Sequence, residues 1–126
     1  MIVGSGIDLA EIGRIQQSID RYGSRFLNRV YTAGEQAYCL RKRNSAESLA
    51  ARFAAKEAFF KALGTGWIEN TLFNEVEIIN NIDGKPEIHL SGLTQNTINA
   101  MGINRILVSL SHIKTMASAI VILEKQ

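Results

Sequence analysis

Ala51-Arg-Phe-Ala-Ala-Lys-Glu-Ala-Phe-Phe-Lys-Ala-Leu-Gly64 is the stretch around which the rest of the chain must arrange itself. Alanine, leucine, lysine, glutamate and arginine dominate it, and all are strong helix formers. Leu49, Phe53, Phe60 and Leu63 recur at offsets of 4, 7 and 3, which predicts one buried stripe on a helix from about Ser45 to Leu63. Gly64 is the expected stop. Glu57 and Lys61 stand one turn apart, with Arg52 and Lys56 just upstream. Alone, Glu57 and Lys61 read as an ordinary surface ion pair, which contributes little. Glu57 falls about 40° from Phe53 on a helical wheel, however, so it borders the stripe. A carboxylate there needs a partner, and Lys61 or a metal would serve.

Working back towards the N-terminus, Ile2-Val-Gly-Ser-Gly-Ile-Asp8 reads as a short strand whose two glycines admit close approach of another backbone. Ile12, Ile15 and Ile19 then repeat at helical spacing from about Ala10 to Tyr22. Tyr22, Phe26 and Val30 give a second helix, or a continuation past Gly23. Thr32 with Glu35 three residues on is a capping box, opening a helix to about Lys42. Asp8 has two readings. With Glu11 it makes a passable capping box, which favours an N-cap. It is also a hard carboxylate at a strand-helix junction, and Mg²⁺ typically takes one or two carboxylates plus substrate phosphate oxygens and water. Asp8 and Glu57 are then the candidate metal ligands.

Beyond the central helix the pattern changes. Leu72 to Asn80 is rich in β-branched residues, Asp83-Gly84 marks a hairpin turn, and Glu87 to Leu90 reads as the partner strand. Leu93 to Met101 is a short helix ended by Gly102. Ile106 to Ser111 and Met116 to Leu123 form two more strands, whose Ile120 and Ile122 suit a core or a partner equally. The class is α+β: helices mostly first, packed on a small antiparallel sheet.

At 126 residues the chain is read as one domain, 1–126. Hydrophobic residues make up 46% and charged residues 21%, as in soluble proteins, and no apolar run approaches the roughly 18 residues of a membrane span. The first residues lack the basic region of a signal peptide. The lone Cys39 excludes an intramolecular disulfide, fits a reducing cytoplasm, and reads as a packing residue.

Charge is uneven. Residues 11–43 carry seven basic side chains (Arg14, Arg21, Arg25, Arg29, Arg41, Lys42, Arg43) against three acids (Glu11, Asp20, Glu35). Arg14, Arg21, Arg25 and Arg29 are spaced 7, 4 and 4 apart, a line of guanidiniums if the segment is helical. With Ile15 and Phe26 beside them, they suit docking of an acidic helix. Aromatics are otherwise sparse among the basic residues, and no zinc or RNA-binding signature occurs, so nucleic acid ranks low. His112, beside Lys114, suits contact with a phosphate. Ser109 and Ser111 lack the nucleophile elbow of a serine hydrolase. Gly64-Thr65-Gly66 offers backbone N–H groups to an anion, but there is no Walker motif.

Two segments together carry a resemblance. Gly6-Ile-Asp8-Leu-x-x-Ile12-x-Arg14-Ile15 and Arg52-Phe-Ala-Ala-Lys-Glu57-Ala-Phe-Phe-Lys61-Ala resemble the two signature motifs of the 4′-phosphopantetheinyl transferases. Chain length, the Gly64-Thr65-Gly66 exit and Ser111-His112 resemble the short bacterial type. Met116 stands where that type often has tyrosine. The resemblance implies transfer of the phosphopantetheine arm of coenzyme A to a serine of an acidic apo-acyl carrier protein, with release of adenosine 3′,5′-bisphosphate.

The resemblance also assigns residues. Asp8 and Glu57 would hold Mg²⁺ against the coenzyme A pyrophosphate, with Lys61 on pyrophosphate oxygens and the Gly64, Thr65 and Gly66 backbone nearby. Arg52, His112 and Arg43 match positions at the 3′-phosphate and adenine end. Glu57 is the nearest candidate base for the serine proton. The Arg14, Arg21, Arg25 and Arg29 face would meet the carrier protein. The family forms trimers, with coenzyme A between neighbours, so Arg52 and His112 would face the adjacent subunit's ligand. The rival readings are a non-enzymatic module binding an acidic partner and a Mg²⁺-dependent pyrophosphate hydrolase.

Overall fold

The computed structural model describes residues 1–64 and 71–126, so Thr65, Gly66 and Trp67 lie outside the described residues. Strand β1 (Ile2–Glu11) opens the chain. Four helices follow: α1 (Ile12–Tyr22), α2 (Ser24–Val30), α3 (Ala33–Leu40) and α4 (Ser45–Ala62). A 3₁₀ turn at Phe73–Glu75 leads into β2 (Val76–Asn80) and β3 (Pro86–Leu90). Helix α5 (Gly92–Ala100), β4 (Arg105–His112) and β5 (Met116–Glu124) complete the order. The α+β reading stands, with the strands divided between two antiparallel sheets, β1-β5-β4 and β2-β3. The segment from Leu72 does not enter β2 until Val76, because its first residues make the 3₁₀ turn.

Strand β1 departs most from its sequence reading. It runs three residues past Asp8, pairing Asp8 with Ala119 and Glu11 with Met116 of β5. Helix α1 therefore starts at Ile12, and Glu11 occupies its N-cap without a side-chain cap bond. Asp8 is not an N-cap. A continuous ladder to β5 outweighs the roughly 1 kcal/mol that a local cap contributes.

The two glycines of β1 do what their sequence position suggests. A Cβ on Gly4 would stand 2.0 Å from the Ala62 carbonyl oxygen, and one on Gly6 would stand 2.0 Å from that of Ala58. Backbone meets backbone at both places. By the two-residue period of a strand, Gly4, Gly6 and Asp8 share the face turned to α4. The small-residue contact thus brings the Asp8 carboxylate alongside the helix.

Helix α4 is buried around most of its circumference, more than a single stripe allows. Leu49, Ala50, Ala54, Ala55, Ala58 and Phe59 are inaccessible, whereas Phe53 and Leu63 are only half-buried. It packs against β1 and β5 and also against α1, α3 and β2. Alanines make this possible, since neighbouring elements can approach closely from several sides. Gly64 ends the helix with φ of 84°, as expected of a C-terminal glycine.

Burial extends to Lys56. Its Nζ donates to Glu35 Oε1 at 2.7 Å, to the Phe73 carbonyl at 2.9 Å and to the Val76 carbonyl. Glu35 completes the capping box with Thr32 and also accepts from the Ile78 amide at 2.9 Å. One buried ion pair thereby ties α3, α4 and β2 together. Desolvation pulls the Lys56 pKa down, and Glu35 opposes that. Tyr31, also buried, donates to the Leu49 carbonyl at 2.8 Å. Cys39 is fully buried, as its packing role requires.

Candidate active site

Lys61 does not pair with Glu57. Its Nζ reaches across to β1, 2.8 Å from Asp8 Oδ1 and 3.2 Å from the Ile7 carbonyl. Register explains the choice, because the Gly4 and Gly6 contacts hold β1 close under α4. Glu57, half-buried beside this pair, has its carboxyl pKa raised. Burial is the main cause, the Asp8 charge adds to it, and Lys61 opposes both. The structure therefore brings Asp8, Glu57 and Lys61 into one electrostatically coupled group.

Two carboxylates lie near one lysine here, and only Asp8 pairs with it directly. Both are hard oxygen donors, and the surplus negative charge suits a divalent cation. Among the described residues no third acidic, histidine or cysteine side chain joins them. That donor set fits Mg²⁺, which completes its octahedron with water and substrate phosphate oxygens.

A second feature lies elsewhere on α4. A cleft of about 490 Å³ is lined by Tyr38 of α3, Lys42, Arg43 and Asn44 of the connection, Glu47, Ser48 and Arg52 of α4, Asn80 of β2 and His112 of β4. It gathers Arg43, Arg52 and His112, three residues far apart in sequence. Arg52 is 4% exposed, and none of the described residues gives it a carboxylate partner. Its Nη1 donates to Ser48 Oγ at 3.1 Å, and its buried Nε has no hydrogen-bond partner among the described residues. A buried guanidinium without a counter-charge is a ready anion site. Glu47, the one carboxylate among the described residues that line the cleft, lies 3.9 Å from His112 Nδ1.

Tyr38, Lys42, Glu47 and Asn80 were not singled out by sequence reasoning. Tyr38 and Lys42 do stand four apart, beside the basic run Arg41-Lys-Arg43, and that spacing was the available signal. The Lys42 ammonium beside the phenol is the main cause that holds the Tyr38 pKa below its usual value. Asp8, Glu57 and Lys61 do not line this cleft. Arg52 and Glu57 are five residues apart, so they point about 140° apart around the helix and are about 7.5 Å apart along it.

The arginine line is divided. Gly23, with φ of 55°, ends α1 and starts a new direction in α2. Arg14 and Arg21 remain on α1, and Arg25 and Arg29 on α2, all exposed. Tyr22, Arg25, Phe26 and Arg29 line a small hollow of about 300 Å³, and the Arg21 guanidinium lies 5.3 Å from the Tyr22 ring centre.

Comparison with known proteins gives the family of the whole chain. The family model of the 4′-phosphopantetheinyl transferase superfamily matches residues 4–105, and the chain belongs to that superfamily. Within it, the chain is similar from end to end to proteins named holo-[acyl-carrier-protein] synthase. The relative from Solibacter usitatus is 48% identical over 124 residues, covering 98% of this chain and 99% of the relative. The crystal structure of the synthase from Neisseria meningitidis superposes with a TM-score of 0.92 at 34% identity, over 99% of this chain and all of that one. The Bacillus anthracis synthase, solved in complex with CoA (3′,5′-ADP), gives a TM-score of 0.83 at 35% identity, over 100% and 99% of the two chains.

Proposed function

We infer that this chain is a holo-[acyl-carrier-protein] synthase. It transfers the 4′-phosphopantetheine group of coenzyme A to a serine of apo-acyl carrier protein, releases adenosine 3′,5′-bisphosphate, and so serves fatty acid biosynthesis. End-to-end similarity to named synthases supports the activity. The observation that carries the site is the coupling of Asp8, Glu57 and Lys61 across the β1–α4 contact.

Phosphoryl transfer needs positioning and charge neutralisation more than covalent help from the protein. We assign Asp8 and Glu57 as the residues that would hold Mg²⁺, which when bound neutralises pyrophosphate charge. Lys61, exposed at its tip and anchored on Asp8, presents its ammonium to the pyrophosphate oxygens as charge develops on the leaving group. Glu57 is the nearest candidate base for the serine proton. Arg52, His112 and Arg43 would take the 3′-phosphate and adenine end in the cationic cleft. The Gly64 backbone, continuing to Thr65 and Gly66, is assigned to the pyrophosphate side.

Glu57 and Arg52 face away from each other, so one copy's cleft and the same copy's carboxylates lie on different sides of α4. That favours a homotrimer in which coenzyme A lies between copies. The outer face of the β1-β5-β4 sheet is the proposed contact. Ile7, Leu9 and Ile120 are exposed there, and the register lines up Ile7, Ile120 and Ser109 in one row. Exposed apolar side chains grouped like Ile7, Leu9 and Ile120 mark protein contacts. We take residues 1–126 as one transferase domain, place it in the cytoplasm in keeping with its lone reduced cysteine, and assign the arginines of α1 and α2 to the acidic carrier.

The test is to incubate the protein with coenzyme A, Mg²⁺ and an apo-acyl carrier protein and weigh the carrier. A gain of the phosphopantetheine mass is expected, lost with Glu57→Ala. Cleavage of coenzyme A without that gain would indicate a hydrolase instead, and no change in either would leave a binding module.

A further inference from the structure

Arg52 is held without being neutralised, and an aromatic ring helps to hold it. Its guanidinium carbon lies 4.8 Å from the centre of the Tyr38 ring. Lys42 Nζ lies 4.4 Å from the same centre and the Arg41 guanidinium 5.5 Å. Three cations thus gather on one phenol. Asn80 Nδ2 donates to Tyr38 Oη at 3.0 Å, fixing the ring from β2. Ser48, which accepts from Arg52 Nη1, is itself 3.2 Å from the buried Cys39 Sγ.

A cation can be oriented by a carboxylate or by a π face, and the choice has consequences. A carboxylate cancels the charge and competes with any incoming phosphate. A ring attracts the cation through its quadrupole while leaving the net charge intact. Tyr38 therefore concentrates positive charge in the cleft, whereas an acid at this place would remove it.

We propose that Tyr38 is the positioning residue that holds Arg52 and Lys42 for an anion, and that it sets the preference of the cleft for a 3′-phosphorylated nucleotide. This rests on the reading that the cleft takes the 3′-phosphate end of coenzyme A. The ring, not the hydroxyl, carries the effect. Tyr38 is half-buried at the edge of the core.

The experiment measures KM and kcat for coenzyme A and for 3′-dephospho-coenzyme A, with apo-acyl carrier protein as acceptor, in wild type, Tyr38→Leu and Tyr38→Phe. Wild type should prefer coenzyme A. Tyr38→Leu should raise the KM for coenzyme A about tenfold, between the sizes of an exposed and a desolvated cation–π contact, with kcat within about twofold. The KM for 3′-dephospho-coenzyme A should stay unchanged, and Tyr38→Phe should restore the preference. Equal effects on both substrates, no effect on either, or a Phe variant as impaired as the Leu variant would each overturn the proposal. If Tyr38→Leu does not fold, Tyr38→Trp decides: a KM at or below wild type supports the π-face role, and a tenfold rise overturns it. A wild type without preference between the substrates would instead refute the reading of the cleft, and the proposal with it.

Discussion

Lys61 Nζ lies 2.8 Å from Asp8 Oδ1, which joins the last turn of α4 to the middle of β1. The side chain that reads as half of a surface pair instead spans two elements, and among the described residues Glu57 has a carboxylate neighbour and no direct cation partner. Such an arrangement is costly to fold unless something else uses the negative charge. Asp8→Asn and Glu57→Gln should each lower kcat by about 10²-fold or more, with far-ultraviolet circular dichroism unchanged. Activity losses that track a loss of folded protein would contradict this assignment.

Gly6→Ala should be far more damaging than its size suggests. The added methyl meets the Ala58 carbonyl oxygen at 2.0 Å, and a backbone oxygen cannot swing aside. A cost of about 3 kcal/mol or more is expected, with a melting temperature lower by roughly 10 °C. Gly13→Ala, where an added Cβ meets nothing within 4 Å, is the control. Similar melting temperatures for the two variants would refute the close-contact account.

Alkaline pH tests Tyr31. Burial is the main cause that raises its pKa well above the ordinary 10.0, and the Glu35 charge adds to it. A raised folded-state value means that the folded chain keeps a proton the unfolded chain releases. The resulting stability is full below about pH 10 and declines as pH rises further. Tyr31→Phe should therefore flatten the alkaline limb of a urea-midpoint profile while costing about 1 kcal/mol at neutral pH. Lys56, with its lowered pKa, acts in the opposite direction, so the difference between wild type and variant is the quantity to read. An unchanged alkaline limb would argue against the buried phenol as its source.

Reversing charge on α1 or α2 should affect one substrate only. Arg14→Glu and Arg25→Glu are expected to raise the KM for the carrier protein about tenfold and to leave that for coenzyme A within about twofold. Added salt should mimic the effect in the wild type. Equal losses for both substrates would remove these arginines from the docking surface.

The outer sheet face can be tested by sedimentation. Ile7→Glu places a charge where the isolated chain already exposes the side chain, so folding should survive. The proposed trimer should dissociate, and specific activity should become strongly dependent on protein concentration. An unaltered sedimentation coefficient with full activity would move the contact to another surface.

Much of this could be read directly from the residues. Thr32 and Glu35 lie within one turn, so their capping box depends on nothing distant, and it forms as the spacing predicts. Gly4 and Gly6 announced a close backbone contact because glycine spacing on a strand is a local signal, although the sequence could not say that Ala58 and Ala62 would fill it. The Asp8 N-cap reading failed for the opposite reason. Asp8 and Glu11 satisfy every local criterion for a cap, but β5, more than a hundred residues away, extends the strand through them. No local pattern marks Lys56 for burial; α3 and the segment entering β2 close over it only in the folded chain.

The sequence by itself determined the α+β class, the central helix and the two motifs that mark the superfamily, because these follow from short-range periodicity and residue chemistry. Only the tertiary structure decided which charges meet. The cleft collects residues from α3, α4, β2 and β4, and the Asp8–Lys61 pair closes over 53 positions of chain. Side-chain partners are set by how elements pack. In this chain that packing is governed by glycines and alanines, which carry no charge but fix where the charged groups come to lie.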